Sequence, residues 1–399
     1  MLKKILLFFI SWKGVVLFFA FLATLIIPLL NSGTYIFPFH GPNVPYNYQI
    51  DPPYYFWIWA NFDGSQYISI ARSGYLDFQY GFFPFYPLLI SFFTGFFHTF
   101  RYLKAGLLIS NLSLLGSLMI LAKLISLDKK KHLFSLMMLT VLFFPSSFFY
   151  GAVYNDSLFF FIACLTIYFA RKKSFFLASL TGAIATITRL NGLVLFFLIV
   201  FEYFFPDDNI EKAWDLKQIV SRIKSRIVFK QLFKSKIISS LLIPISFIGY
   251  LIYIQYLGDS WTTLFTSMKI WHQDKPTFPL QVLWRYVKIL FTASPHQLNY
   301  WVAMCELFFV LFYVTFLIYS FRKIRLSYWI FFALSILIPA MTGTFQGMPR
   351  YGLHLYPLFL SLTIFLEKKP LFVKISYFTL CLILLFILLA LFTRGYFVA

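Results

Sequence analysis

Five stretches, Ile5 to Leu30, Ala105 to Leu127, Ile237 to Leu257, Trp301 to Phe321 and Leu371 to Phe392, each carry at most one charged side chain. Each reaches the roughly 20 residues a helix needs to cross the hydrocarbon core of a bilayer. They are not isolated: of the 399 residues 60% are hydrophobic and 12% charged, at a mean hydropathy of +0.78. A soluble domain carries about 25% charged residues, and no single water-bound core could hide this much apolar surface. The expected fold is all-α and polytopic, and a soluble fold is excluded.

The basic residues give the spans a direction. The net charge is +20, yet Lys and Arg fall in short clusters between apolar runs rather than on a nucleic-acid-binding module, so no nucleic-acid partner is expected. Lys3-Lys4, Lys129 to Lys131, Arg171 to Lys173, Lys212 to Lys236, Arg322 to Arg325 and Lys368 to Lys374 hold most of the 34 basic residues. Assigning them to the cytoplasm sends residues 31–81, Asn155-Asp156, Thr188 to Gly192, 258–299 and 343–351 to the other, extracytoplasmic face. About eleven spans fit this pattern, in one polytopic domain over 1–399 of a multi-pass plasma-membrane protein. Phe82 to Phe100 would invert every later cluster if it crossed, so it is expected as a re-entrant or interfacial piece broken by Pro84 and Pro87. Leu280 to Thr292, with Trp284, Arg285 and Lys288, reads as a helix lying at the interface. Residues 206–236 read as a basic cytoplasmic linker held by anionic lipid. Lys3 and Lys4 before an apolar run imitate a signal peptide, but the run is too long and lacks a small-residue cleavage site, so a retained span is expected.

Metal and thiol chemistry find little support. Cys164, Cys305 and Cys381 lie inside apolar runs, where packing is the ordinary use of cysteine. His40, His98, His132, His296 and His354 show no ligand spacing, and no Asp-x-Asp triplet occurs. No cofactor is expected and a metal is not indicated. Glu306, a lone acid within a span, is expected to be hydrogen-bonded inside the bundle.

The polar motifs all fall on the face opposite the lysine clusters. Residues 41–59 are rich in Pro, Tyr and Trp, as suits chain at headgroup level; such aromatics also stack on sugars. Asp63 follows, one carboxylate in an aromatic, nearly cation-free segment, with Gly64 allowing close backbone approach and a short helix expected to Tyr75. Asp63 can be a helix cap or a reacting group. Asp156 can likewise cap a helix or orient a substrate. Arg189 can snorkel, pair with Asp156 or bind phosphate, and Arg350 can sit among headgroups or bind phosphate.

Four stretches together resemble the PIG-V type of mannosyltransferase, in the GT-C group of polytopic glycosyltransferases that use lipid-phosphate sugars. They are Phe62-Asp63-Gly64 through Ile70-Ala71 to Gly74-Tyr75; Phe82-Phe83-Pro84-Phe85-Tyr86-Pro87; Phe144-Pro145-Ser146-Ser147 through Tyr154-Asn155-Asp156-Ser157; and Thr188-Arg189-Leu190-Asn191-Gly192. Trp271, Pro349-Arg350-Tyr351 and Pro357 are fainter echoes, and the whole spans about residues 55–360. Phe62 stands where the family tends to have Trp, and Asp156 where it has Glu. The resemblance implies that Asp63, in an extracytoplasmic catalytic loop (31–81) with interfacial helices, is a general base. An acceptor hydroxyl attacking an anomeric carbon needs a base, while a departing phosphate needs cations and hydrogen-bond donors. Arg189 and Arg350 are the implied donor-phosphate ligands, with Arg72 behind them. Asp156, Tyr154, Trp271, His272, Tyr351 and Gln66 are implied substrate contacts, His272 being equally open to a structural role. The implied partners are a polyprenyl-phosphate sugar, a glycan or lipid acceptor and membrane lipid. The rivals are a lipid or polysaccharide transporter and a noncatalytic membrane scaffold. A transporter predicts internal repeats and midplane charges, which the sequence mostly lacks.

Overall fold

A computed structural model describes residues 1–30, 54–76, 78–206, 236–271, 273 and 275–398. The aromatic loop before Tyr54, nearly all of the basic linker and His272 lie outside the described residues. Among the described residues all regular structure is helical. In chain order the longer helices are α1 (Leu2–Ile26), α2 (Asp63–Ser73), α3 (Phe85–Phe93), α4 (Arg101–Leu127), α5 (Phe134–Leu142), α6 (Asp156–Arg171) and α7 (Phe175–Thr186). They continue as α8 (Val194–Phe204), α9 (Leu242–Tyr256), α10 (Pro279–Thr292), α11 (Leu298–Ser320), α12 (Leu326–Ala340), α13 (Tyr356–Glu367) and α14 (Leu371–Thr393).

Five helical stretches are long and apolar enough to cross a membrane: α1, α4, Ile237–Tyr256, α11 and α14. They match the five apolar runs to within a few residues. Their outer faces expose large side chains such as Leu7, Phe18, Ile252, Ile318 and Phe372. Helices apolar on every side are stable only where lipid replaces water, so the chain is a membrane-embedded protein. Six further apolar helices are shorter, among them Phe85–Phe96, Leu190–Phe204 and Tyr356–Glu367.

The centre of the bundle is α6, buried along most of its length. Close approach to α4 depends on Gly116, where a Cβ would lie 2.8 Å from the Phe161 ring. Small residues at such crossings let helices pack without a hydrophobic drive from water.

Helix α6 also joins two polar ends. Asp156 opens it and Arg171 closes it, so at 1.5 Å per residue the ends are about 22 Å apart. Arg171 Nη1 lies 2.6 Å from Asp128 and its Nε 3.4 Å from Glu202, which also takes Arg325 at 2.7 Å. Lys129, Lys130 and Lys323 line a small cavity with Arg171 and Arg325. Three basic clusters from distant parts of the sequence therefore meet at one end, as the charge pattern predicts. Asp63, Asp156, Arg189 and Arg350 gather at the other.

One expectation needs correction. Pro84 is the N-cap of α3 and Pro87 sits in its first turn, so these prolines start the helix instead of breaking it; neither position needs the intrahelical N–H that Pro lacks. Phe100, in a left-handed conformation at φ 51°, separates this piece from α4.

Candidate active site

The turn ahead of α2 is fixed before any charge is considered. Phe62 adopts φ 55°, unfavourable for a residue with a side chain. Surrounding contacts hold it there. Asn61 donates through Nδ2 to the Phe392 carbonyl at 2.7 Å, and the Tyr154 hydroxyl donates to the Asn61 carbonyl at 2.7 Å. The Phe62 ring packs against Phe392 and Phe397. Strained backbone persists only where neighbours over-determine it, and here the C-terminal helix does so. Gly64 comes next because a Cβ there would stand 3.2 Å from the Val153 carbonyl oxygen. The result is that Asp63 begins α2. Phe62 is the N-cap residue and Asp63 the first residue of the helix, and among the described residues the Asp63 carboxylate takes no backbone N–H, so the cap reading is set aside.

Asp63 instead meets Arg350, Oδ2 to Nη1 at 2.5 Å. Arg350 also reaches Asp156 Oδ2 from Nη2 at 3.2 Å, and Arg189 Nη1 donates to Asp156 Oδ1 at 2.6 Å. Four charges from four segments alternate in a chain: Asp63, Arg350, Asp156, Arg189. Aromatic faces back the guanidiniums, Tyr154 and Phe149 at 4.6 and 5.0 Å from Arg350, and Tyr351 at 4.7 Å from Arg189. Both arginines lie in links between the longer helices. Burial opposes their charge, but Asp156, and Asp63 for Arg350, outweigh it and hold both above the ordinary arginine range.

Each arginine is held by its own link. The Thr188–Gly192 turn closes through Gly192 N–H to the Arg189 carbonyl at 2.8 Å, and Asn155 Nδ2 donates to the Thr188 carbonyl at 2.8 Å. Arg350 sits in a turn of helix, Met348–Tyr351, entered through Gly347 at φ 82°. The preceding loop is pinned by one hydroxyl: Tyr286 donates to Glu306 at 2.5 Å and accepts the Phe345 N–H at 2.9 Å. Glu306 thus finds the hydrogen bond expected of it.

A cavity of about 590 Å³ opens beside this chain. Asp63, Arg189, Arg350 and Tyr351 line its polar side; Leu264, Phe265, Met268, Ile338, Pro339 and Met341 line an apolar one. The side chain of Asp63 is 25% exposed, that of Asp156 wholly buried. Among the described residues, the second oxygen of Asp63 has no protein hydrogen bond. The arrangement offers a carboxylate lone pair and arginine N–H groups at the mouth of an amphipathic cleft.

The implied residues do not all meet the cavity. Asp63, Arg189, Arg350 and Tyr351 do. Asp156 and Tyr154 lie beneath, Asp156 orienting both arginines and Tyr154 holding the Asn61 turn. Gln66 faces elsewhere: its Oε1 accepts from buried Gln79 at 2.7 Å, which ties α2 to the chain after it. Residues three apart on a helix are neighbours on one face, so spacing alone does not separate Gln66 from Asp63; the hydrogen bond from Gln79 does. Trp271 closes a short turn, Met268–Trp271; its side chain, like His272, is outside the described residues. The sequence reading missed Tyr67, Asn155, Asn191, Gln346 and Lys275, all lining the cavity. Tyr67, Asn155 and Asn191 stood inside motifs already singled out and were the findable ones. Among the described residues no three His, Cys, Asp or Glu side chains converge as a metal-binding group would.

Comparison of the chain with protein families, with curated proteins and with solved structures finds no match. The class the fold and site define is thus a helical membrane protein with a paired-charge cleft at one end.

Proposed function

We propose that this protein is a membrane glycosyltransferase, resembling the PIG-V mannosyltransferases, that moves a hexose from a polyprenyl phosphate to a glycan or lipid acceptor with inversion. The observation that carries the reading is Asp63: a partly exposed carboxylate with one unengaged oxygen, beside paired arginines in a cavity that also has an apolar lining. An amphiphile with a sugar phosphate head and a hydrocarbon tail requires both surfaces. Asp63 takes the acceptor's proton as the hydroxyl oxygen bonds to the anomeric carbon, and the carbon–phosphate-oxygen bond breaks on the opposite side. The departing phosphate keeps the electron pair. Arg189, whose Nε and Nη2 meet no protein acceptor among the described residues, and Arg350 donate hydrogen bonds to it.

About eleven spans and an extracytoplasmic site belong to this proposal. The gathering of Asp63, Asp156, Arg189 and Arg350 at one cavity favours the enzyme over a scaffold, for which these residues would be dispersed. It also lies at the N-terminal end of α6, whereas a transporter calls for charges near the midplane. The test is transfer from a radiolabelled polyprenyl-phosphate mannose by membranes holding either the native chain or Asp63→Asn. Transfer by the native chain alone supports the base; equal transfer by both sinks the mechanism.

A further inference from the structure

Arg189 and Arg350 are held by carboxylates, which leaves an incoming phosphate short of positive charge. The charge chain contains Asp63 and Asp156 against Arg189 and Arg350, and it sums to zero. A sugar phosphodiester carries one negative charge. Entering a low-dielectric cleft, it can take hydrogen bonds from the guanidiniums, but its charge stays unbalanced, and unbalanced buried charge is strongly unfavourable.

One further charged residue lines the cavity among the described residues: Lys275. It is exposed, and no described carboxylate pairs with it. Its segment is anchored, because the Thr277 N–H donates to the Met341 carbonyl at 2.8 Å. That bond fastens residues 275–277 to the end of α12, whose Ile338, Pro339 and Met341 form part of the apolar wall. Lys275 therefore stands on the rim next to the surface suited to a lipid tail. In a polyprenyl-phosphate sugar the phosphate is the link between tail and sugar, so a cation for it belongs at such a boundary.

We propose that Lys275 is the residue that answers the charge of the donor's phosphate. This rests on the glycosyl-phosphate reading above and deepens it. The four-residue charge chain, buried Asp156 included, and Lys275 then sum to +1 among the described residues, matching a monoanionic phosphodiester. Arg189 and Arg350 direct hydrogen bonds to the phosphate while remaining tied to their carboxylates. The lysine is a point charge on a flexible stem, suited to meeting an anion of variable position.

The experiment uses the full chain in nanodiscs of neutral phosphatidylcholine and two probes of equal chain length: the methyl diester of a polyprenyl phosphate, and the uncharged polyprenol. The native chain is expected to prefer the diester. Lys275→Gln is expected to weaken diester binding about tenfold, with Lys275→Arg staying within about threefold of native and polyprenol binding unchanged in all three. The preference is expected to fall as salt is raised. Equal diester binding by the native chain and Lys275→Gln, with the preference intact, overturns the role of Lys275 and leaves the glycosyl-phosphate reading standing. No preference for the diester in the native chain overturns both. Lys275 is exposed, so the unfolding midpoints of its variants should equal that of the native chain, and a shifted midpoint with equal loss in Lys275→Arg assigns the residue to structure and also overturns the proposal.

Discussion

The molecule carries two networks of acids and arginines, one at each end of α6, built from the same chemistry and surrounded differently. At the lysine-rich end Glu202 takes two bonds from Arg325 and one from the Ser327 hydroxyl at 2.6 Å. Asp128 takes Arg171 and the hydroxyls of Tyr356 and Tyr328. Arg325 further donates to the Pro206 carbonyl at 3.0 Å. The acids there are wrapped in donors, and the adjoining cavity is only about 80 Å³. At the other end the Asp63 carboxylate has one donor and opens on a space about seven times larger. Saturated ion pairs fasten helices; a pair left partly unsatisfied beside a cleft can exchange partners with a ligand. The ion pairs alone do not distinguish fastening from function, whereas the unused lone pairs and the space beside them do.

That contrast can be broken from either side. The largest stability effect is expected at the lysine-rich end. Glu202→Ala removes the buried carboxylate that takes two bonds from Arg325 and lies 3.4 Å from Arg171, and should lower stability by about 3–5 kcal/mol, read as a fall in the unfolding midpoint in detergent. Asp63→Asn, by contrast, should shift stability by less than about 1 kcal/mol while lowering sugar transfer by about 10²–10⁴-fold. If Asp63→Asn unfolds the protein as readily as Glu202→Ala does, the two ends do the same job. Next, Arg350→Lys keeps a positive charge but loses the fork that reaches Asp63 and Asp156 together, and transfer should drop by about 10–100-fold. Single-turnover measurements should show the loss in the transfer step. The smallest effect is expected from Tyr356→Phe, which removes one of several donors to Asp128 and should destabilise by about 1 kcal/mol with transfer unchanged.

Much of the fold was legible because lipid imposes a simple rule. Any stretch that crosses must be apolar for about 20 residues and must satisfy its backbone internally, and five runs announce themselves by that rule. The shorter helices were harder. Inside a bundle a helix of 10–17 residues packs against protein on most sides, so neither length nor periodicity marks its ends, and prolines read as breaks in α3 proved to be its start.

The candidate site was half legible. Asp63 and Arg189 stood out as charges in apolar surroundings, and the amino-acid order placed Arg189 within a tight turn and Asp63 ahead of a short helix. Sequence by itself determined the membrane class, the long helices and the shared end of the basic clusters, because these depend on composition and local spacing. Only the tertiary structure decided that Arg350 bridges Asp63 and Asp156, which are 287 and 194 residues away along the chain. The same holds for Asp156 being buried beneath the cleft, for Gln66 turning to Gln79, and for Lys275 standing on the rim. A charge is visible in a sequence, but its partners, its burial and the space beside it are properties of packing between distant segments.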